Sequence, residues 1–214
     1  MSQQNLFPLP RLPYASGALE PKLNRATLLT HHDRLFAACA QQLNRAMEPW
    51  TNYHSWSLRR ILLQLDELPR SMQDALGQSA GCYYNHSLYF ASMAPPRTTR
   101  PGRRLLAAAE REFGSMGELL RLLRQAAHQL TGEGYVWLCC TSNSRLVITT
   151  THGEMTPLPL RPLVCMDLYR HAYALTYGDD RAAYIDAFLT LLNWDAASQR
   201  YEAVFAREVP WPRP

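Results

Sequence analysis

The sequence predicts an α+β protein. An N-terminal α-helical hairpin domain (residues 1–94) is followed by an α+β domain (residues 103–214) with a small antiparallel three-stranded sheet. Three observations predict this. Apolar residues recur at helical spacing through most of the stretch from Arg25 to Met93. The segment from Ala94 to Gly102, APPRTTRPG, interrupts that pattern with prolines and a glycine. Beyond it, β-branched and aromatic runs at Tyr135–Thr141 and Arg145–Thr151 flank a Ser-Asn-Ser turn, the signature of a hairpin.

The elements follow in order. Residues 1–23 read as an extended arm, because Pro8, Pro10, Pro13 and Pro21 lock φ and exclude a regular helix. Asn24 caps a helix from Arg25 to about Met47, with Leu28, Leu35, Phe36, Cys39 and Leu43 at helical spacing. Polar and tryptophan-rich residues 50–57 form a turn region. A short helix spans Leu58 to Leu65, and one longer helix runs from Ser71 to about Met93. After the linker, Arg103–Phe113 and Met116–Leu130 are helical. The hairpin follows, and Pro162–Met166 adds the third strand. Helices near 170–176, 180–192 and 195–206 precede an irregular tail, REVPWPRP.

Composition narrows the function. The chain of 214 residues is 47% apolar, enough for one or two packed cores. A net charge of +4 is mildly basic, without the concentrated stripe of a nucleic-acid binder, and suits approach of a small anion. Five cysteines, an odd number with no CxxC, exclude a zinc ribbon or a thioredoxin-type site. The opening MSQQNLFPLPRLPY lacks the apolar core of a secretory signal, and no run approaches the roughly 18 apolar residues of a membrane span. The expected setting is cytoplasmic, with no membrane or nucleic-acid partner.

The chemistry concentrates in Asp167-Leu168-Tyr169-Arg170-His171-Ala172-Tyr173. A carboxylate and an imidazole four residues apart, read at the start of a helix, can point at one ion. His31 and His86 lie on two earlier helical segments. Three imidazoles and one carboxylate form a ligand set that suits iron or manganese. Periodicity leaves open whether His31 or His32 faces inward. A zinc site of Cys39, Cys82, His31 and His86 is disfavoured, since His31 and Cys39 stand roughly 12 Å apart along a straight helix.

Further motifs resemble the iron/manganese superoxide dismutase family over nearly the whole length. Leu12-Pro13-Tyr14 and Ala18-Leu19-Glu20-Pro21 are similar to its opening. His31-His32 and Asn85-His86-Ser87 fit its two N-terminal ligand motifs. Phe113-Gly114-Ser115 and Gly132-Glu133-Gly134-Tyr135-Val136-Trp137-Leu138 resemble its central block. Asp167 to Tyr173 resembles its signature, and Arg181, Tyr184, Ile185 and Asn193-Trp194 its C-terminal end. The resemblance implies one iron or manganese per chain, held by His31, His86, Asp167 and His171 with a solvent ligand. It implies conversion of superoxide to oxygen and hydrogen peroxide.

The surroundings of those ligands depart from the family pattern. The resemblance places the family's gateway tyrosine at Cys39 and an iron-enzyme glutamine at Cys82. The manganese-enzyme glutamine falls at His152, or one register away at Glu154. Tyr169 and Tyr135 stand where the family has tryptophans. Arg170 replaces a glutamate that bridges the family's dimer, and Leu35 and Ala174 replace two further interface residues, so a homodimer would lack that bridge. Cys39 and Cys82 are expected to face one another as unpaired small residues. A disulfide needs Cα atoms within about 7 Å, closer than positions spanned by tyrosine and glutamine suggest. These shorter side chains leave a larger pocket above the metal unless Tyr83, Tyr84 or Met155 fills it. Two functions follow: a divergent superoxide dismutase, with Cys39, Cys82, His152 and Tyr169 around the metal, or a metal-binding relative turned to other oxygen or redox chemistry on a different small molecule, or inactive as a dismutase.

Overall fold

The computed structural model describes residues 5–205, so the outermost residues of the arm, the end expected for the last helix and the tail from Arg207 lie outside the described residues. The arm is irregular and strapped to the first domain. The Phe7 backbone N–H donates to Asn44 Oδ1 at 3.0 Å, and Asn44 Nδ2 returns a bond to the Phe7 carbonyl at 2.8 Å. Leu19 and Leu23, farther along the arm, are buried.

Helix α1 (Arg25–Leu29) begins at Asn24, whose side chain accepts the Thr27 N–H at 2.7 Å. The chain then enters a π-helical segment, Thr30–Phe36, before resuming as α2 (Ala37–Met47). The i→i+5 turn widens the helix locally, and both His31 and His32 are buried there. After α3 (Leu58–Leu63) comes a correction to the expected single long helix. The chain forms α4 (Arg70–Leu76) and α5 (Ser79–Ala91), divided at Gly77. Gly77 takes φ +44°, a left-handed conformation that ends α4 and that a side chain disfavours. Helix α5 is buried on nearly every face because α2 packs on one side and the sheet on the other.

In the second domain α6 (Arg103–Phe113) and α7 (Met116–Gln129) pack together, α7 capped by Ser115. Strands β1 (Gly134–Cys140), β2 (Leu146–His152) and β3 (Arg161–Asp167) form an antiparallel sheet in the order β2-β1-β3. Central β1 is buried at every residue, which explains its continuous apolar run. Gly134 is required where β1 starts, since a Cβ there would overlap the Thr151 carbonyl. Short α8 (Ala174–Tyr177), then α9 (Arg181–Thr190) and α10 (Trp194–Glu202) complete the domain. Asp167 ends β3 rather than starting a helix. A 3-10 turn, Arg170–Ala172, carries His171.

The domains join through buried polar contacts. The Cys165 N–H donates to Ser92 Oγ at 3.0 Å. The half-buried Arg200 donates through its guanidinium to the carbonyls of Leu163 (2.7 Å) and Ala91 (3.1 Å), tying β3 to the C-terminal end of α5. No helix among the described residues is long and apolar enough to cross a membrane.

Candidate metal centre

The Asp167 carboxylate stands at the meeting point of the two domains, and its backbone is held on both sides. Tyr184 Oη donates to the Asp167 carbonyl at 2.8 Å, and the next N–H, of Leu168, donates to the Gly134 carbonyl at 2.9 Å. The Tyr169 N–H donates to Asp167 Oδ1 at 2.8 Å, which orients the carboxylate. Its other oxygen, Oδ2, faces three imidazoles. His31 Nε2 lies 3.3 Å away, His171 Nε2 3.4 Å and His86 Nε2 3.9 Å.

These four atoms have no hydrogen-bond partner, although all are buried. A buried polar atom without a partner costs about 1–3 kcal/mol, more if charged. Four converging on one point form a set that could hold a cation. One donor atom from each residue lies within 4.8 Å of the others. Nitrogen and oxygen donors of this kind suit iron or manganese. The four residues brought together are the ones singled out from the sequence: His31, His86, Asp167 and His171.

Neighbouring contacts aim the ligands. His86 Nδ1 donates to the Cys82 carbonyl at 2.8 Å, leaving Nε2 as the lone-pair atom that faces the cluster. His31 packs against Tyr89 and Phe90, while His171 stacks on Tyr169 at 5.1 Å between centroids. His32 is buried too but points elsewhere, with Nε2 2.8 Å from the Pro10 carbonyl and Nδ1 2.6 Å from Asp33. It anchors the arm.

The electrostatics favour a cation. Burial opposes ionisation of Asp167, but the adjacent His171 and His31 imidazoles outweigh it and hold the carboxyl well below its usual range. Burial pushes His31 down to about 3 against the pull of Asp167, and burial likewise lowers His86. Burial also works against charge on His171, yet contact with Asp167 raises its pKa. Asp167 thus favours positive charge beside it, on His171 or on a bound cation.

Residues 6–94 match the family model described as iron/manganese superoxide dismutases, alpha-hairpin domain, and residues 101–200 match that of the C-terminal domain of the same enzymes. This chain belongs to the iron/manganese superoxide dismutase family. Both matched regions contribute to the cluster, His31 and His86 from the hairpin and Asp167 and His171 from the C-terminal domain.

The structure revises the surroundings expected for a superoxide dismutase-like site. Cys39 and Cys82 form a disulfide. Their Cα atoms are 5.9 Å apart, inside the bonding range, because α2 and α5 pack closely at these two small residues. The bridge lies beside a ligand, with Cys82 Sγ 3.6 Å from His86 Nδ1. His152 is exposed and stays outside the site. β2 alternates its side chains and ends at His152, and Gly153 then turns the chain with φ +54°. That turn delivers Glu154 instead. Its carboxylate accepts from Tyr135 Oη at 3.0 Å and Asn85 Nδ2 at 3.3 Å, and also bonds the Tyr169 side chain. Burial raises the Glu154 pKa, and the Tyr135 hydroxyl partly offsets the rise.

Gly81 makes this approach possible, because a Cβ there would overlap the Glu154 carbonyl. The sequence alone gave no reason to single out Gly81. Met155 is 67% exposed and fills no pocket, while Tyr83 turns its hydroxyl to the Pro8 carbonyl at 2.7 Å. Arg170 faces outward to Asp179 at 2.7 Å, and Leu35 lies at the surface.

Proposed function

We propose that this protein is a metal-dependent superoxide dismutase, converting superoxide to oxygen and hydrogen peroxide. The observation that carries this reading is the convergence of four buried, unpartnered donor atoms at the junction of the two domains. When bound, iron or manganese supplies the one-electron redox couple. His31, His86 and His171 would hold it through Nε2 and Asp167 through Oδ2, the carboxylate lowering the net charge of the site.

The remaining residues serve protons and position. Tyr169 stacks on His171 and fixes its ring plane. Glu154, Tyr135, Tyr169 and Asn85 form a hydrogen-bonded group behind the ligands. Burial raises the Glu154 carboxyl, so it retains a proton more readily than in water and can pass one toward a forming peroxide, while the Tyr135 hydroxyl donates to Glu154 and positions it. The mild positive charge of the chain favours arrival of an anion.

The test is the dismutation rate of the purified protein loaded separately with iron and with manganese, normalised to bound metal. A high rate with either metal supports the reading and names the working ion. Stoichiometric metal with a negligible rate refutes it and favours other oxygen chemistry. That second reading draws on the replacement of the family's tyrosine and glutamine positions by a disulfide.

A further inference from the structure

The Cys39–Cys82 bridge joins two helices beside the metal cluster. Both sulfurs lie within 4.8 Å of a ring nitrogen of His86, the imidazole whose Nε2 faces Asp167. One ring therefore spans the sulfur pair and the cluster. The two cysteines also differ in access: Cys39 is only 8% exposed, whereas Cys82 is half-buried. The other three cysteines, Cys139, Cys140 and Cys165, are free thiols at 0% exposure, and burial pushes their pKa values up. They are poor nucleophiles.

We propose that Cys39 and Cys82 form a peroxide-reactive dithiol, with Cys82 as the attacking thiol and Cys39 as the resolving one, and hydrogen peroxide as the substrate. The inference rests on the reading that the neighbouring centre makes peroxide. The Cys82 sulfur attacks one peroxide oxygen. An S–O bond forms, the O–O bond breaks, and water leaves with the thiol proton. The Cys39 thiol then attacks the oxidised sulfur, forming the S–S bond, breaking the S–O bond and releasing a second water. The two sulfurs together lose two electrons and the peroxide gains them. A small dithiol reductant resets the pair. The bridge in the structure is the oxidised product, reached by a Cα spacing that already suits a disulfide.

The full-length, metal-loaded protein is reduced with a phosphine, freed of reductant and mixed with hydrogen peroxide. Free thiols are counted over time after a catalase quench, and cross-linked peptides are mapped. The expected result is loss of both thiols of the pair, faster than glutathione under the same conditions, with a 39–82 cross-link and the other three cysteines unchanged. Cys39→Ser should abolish the cross-link and leave a sulfenic acid trapped by dimedone at Cys82. Cys82→Ser should leave Cys39 slow to oxidise. Retained metal content and far-UV circular dichroism verify that each variant is folded.

Oxidation no faster than glutathione, oxidation at Cys139, Cys140 or Cys165 instead, or a bridge that opens only after denaturation would each overturn the proposal. The readout counts thiols and not superoxide. A protein that closes the pair but does not dismutate superoxide refutes the proposed function alone, and the reverse result refutes the dithiol alone.

Discussion

Opening the Cys39–Cys82 bridge should destabilise the hairpin by an amount set by the loop it closes. The bridged residues are 43 apart in sequence. In the chain-entropy account, a loop of that length removes about 13 cal/mol/K from the unfolded chain, or about 4 kcal/mol at 25 °C. The melting entropy of a protein this size is about 0.45 kcal/mol/K, so the bridge should be worth roughly 9 °C in Tm. The perturbation is reduction in the folded protein, with Cys39→Ser as a parallel variant whose hydroxyl leaves the packing of α2 against α5 nearly unchanged. The assay is calorimetry of oxidised and reduced protein at equal metal content, with the thiol count verified on each sample. A Tm that moves by less than about 2 °C despite a confirmed gain of two thiols would refute the reasoning, because unfolded-state entropy could not then be what the bridge controls.

Other outcomes follow from the same geometry. Metal-free protein should be most stable near pH 6.5. Below it, buried His31 and His86 stay neutral while their unfolded counterparts gain protons, so stability falls with acid by about 1.4 kcal/mol per unit for each group. Above it, the proton that Asp167 retains on His171 is lost from the unfolded chain first, and that stabilisation disappears as pH rises through the raised His171 pKa. Urea midpoints at pH 5, 6.5 and 8 check this, and a steady rise across the three contradicts it. Asp167→Asn should abolish stoichiometric iron or manganese by elemental analysis while the fold persists; unchanged metal content removes Asp167 from the ligand set. Glu154→Gln should lower the dismutation rate about 10–100-fold with metal retained; full activity would show that Glu154 moves no proton. Gly81→Ala should displace the Glu154 loop and cost about 1–3 kcal/mol in urea unfolding, and a neutral substitution would contradict the close approach.

The sequence by itself determined the parts of this protein that depend on neighbours along the chain. Helical spacing marked α2, α6 and α7, the Asn24 cap marked the start of α1, and the β-branched runs marked the hairpin, because each pattern repeats within one or two turns of its own element. The four residues of the cluster were legible through the order and spacing of motifs that resemble the family's, since periodicity alone left His31 and His32 undecided.

Tertiary structure decided what depends on distances between distant segments. The wider π-helical turn buries both His31 and His32, and only the packing of the arm and the sheet shows that His32 meets Pro10 while His31 meets Asp167. One residue of register at the end of β2, together with the Gly153 turn, excludes His152 and brings in Glu154. The bridge between Cys39 and Cys82 depends on how closely two helices approach, which their small side chains permit and no local pattern encodes. Periodicity fixes which face a residue occupies, whereas what that face meets is set by packing across the whole chain.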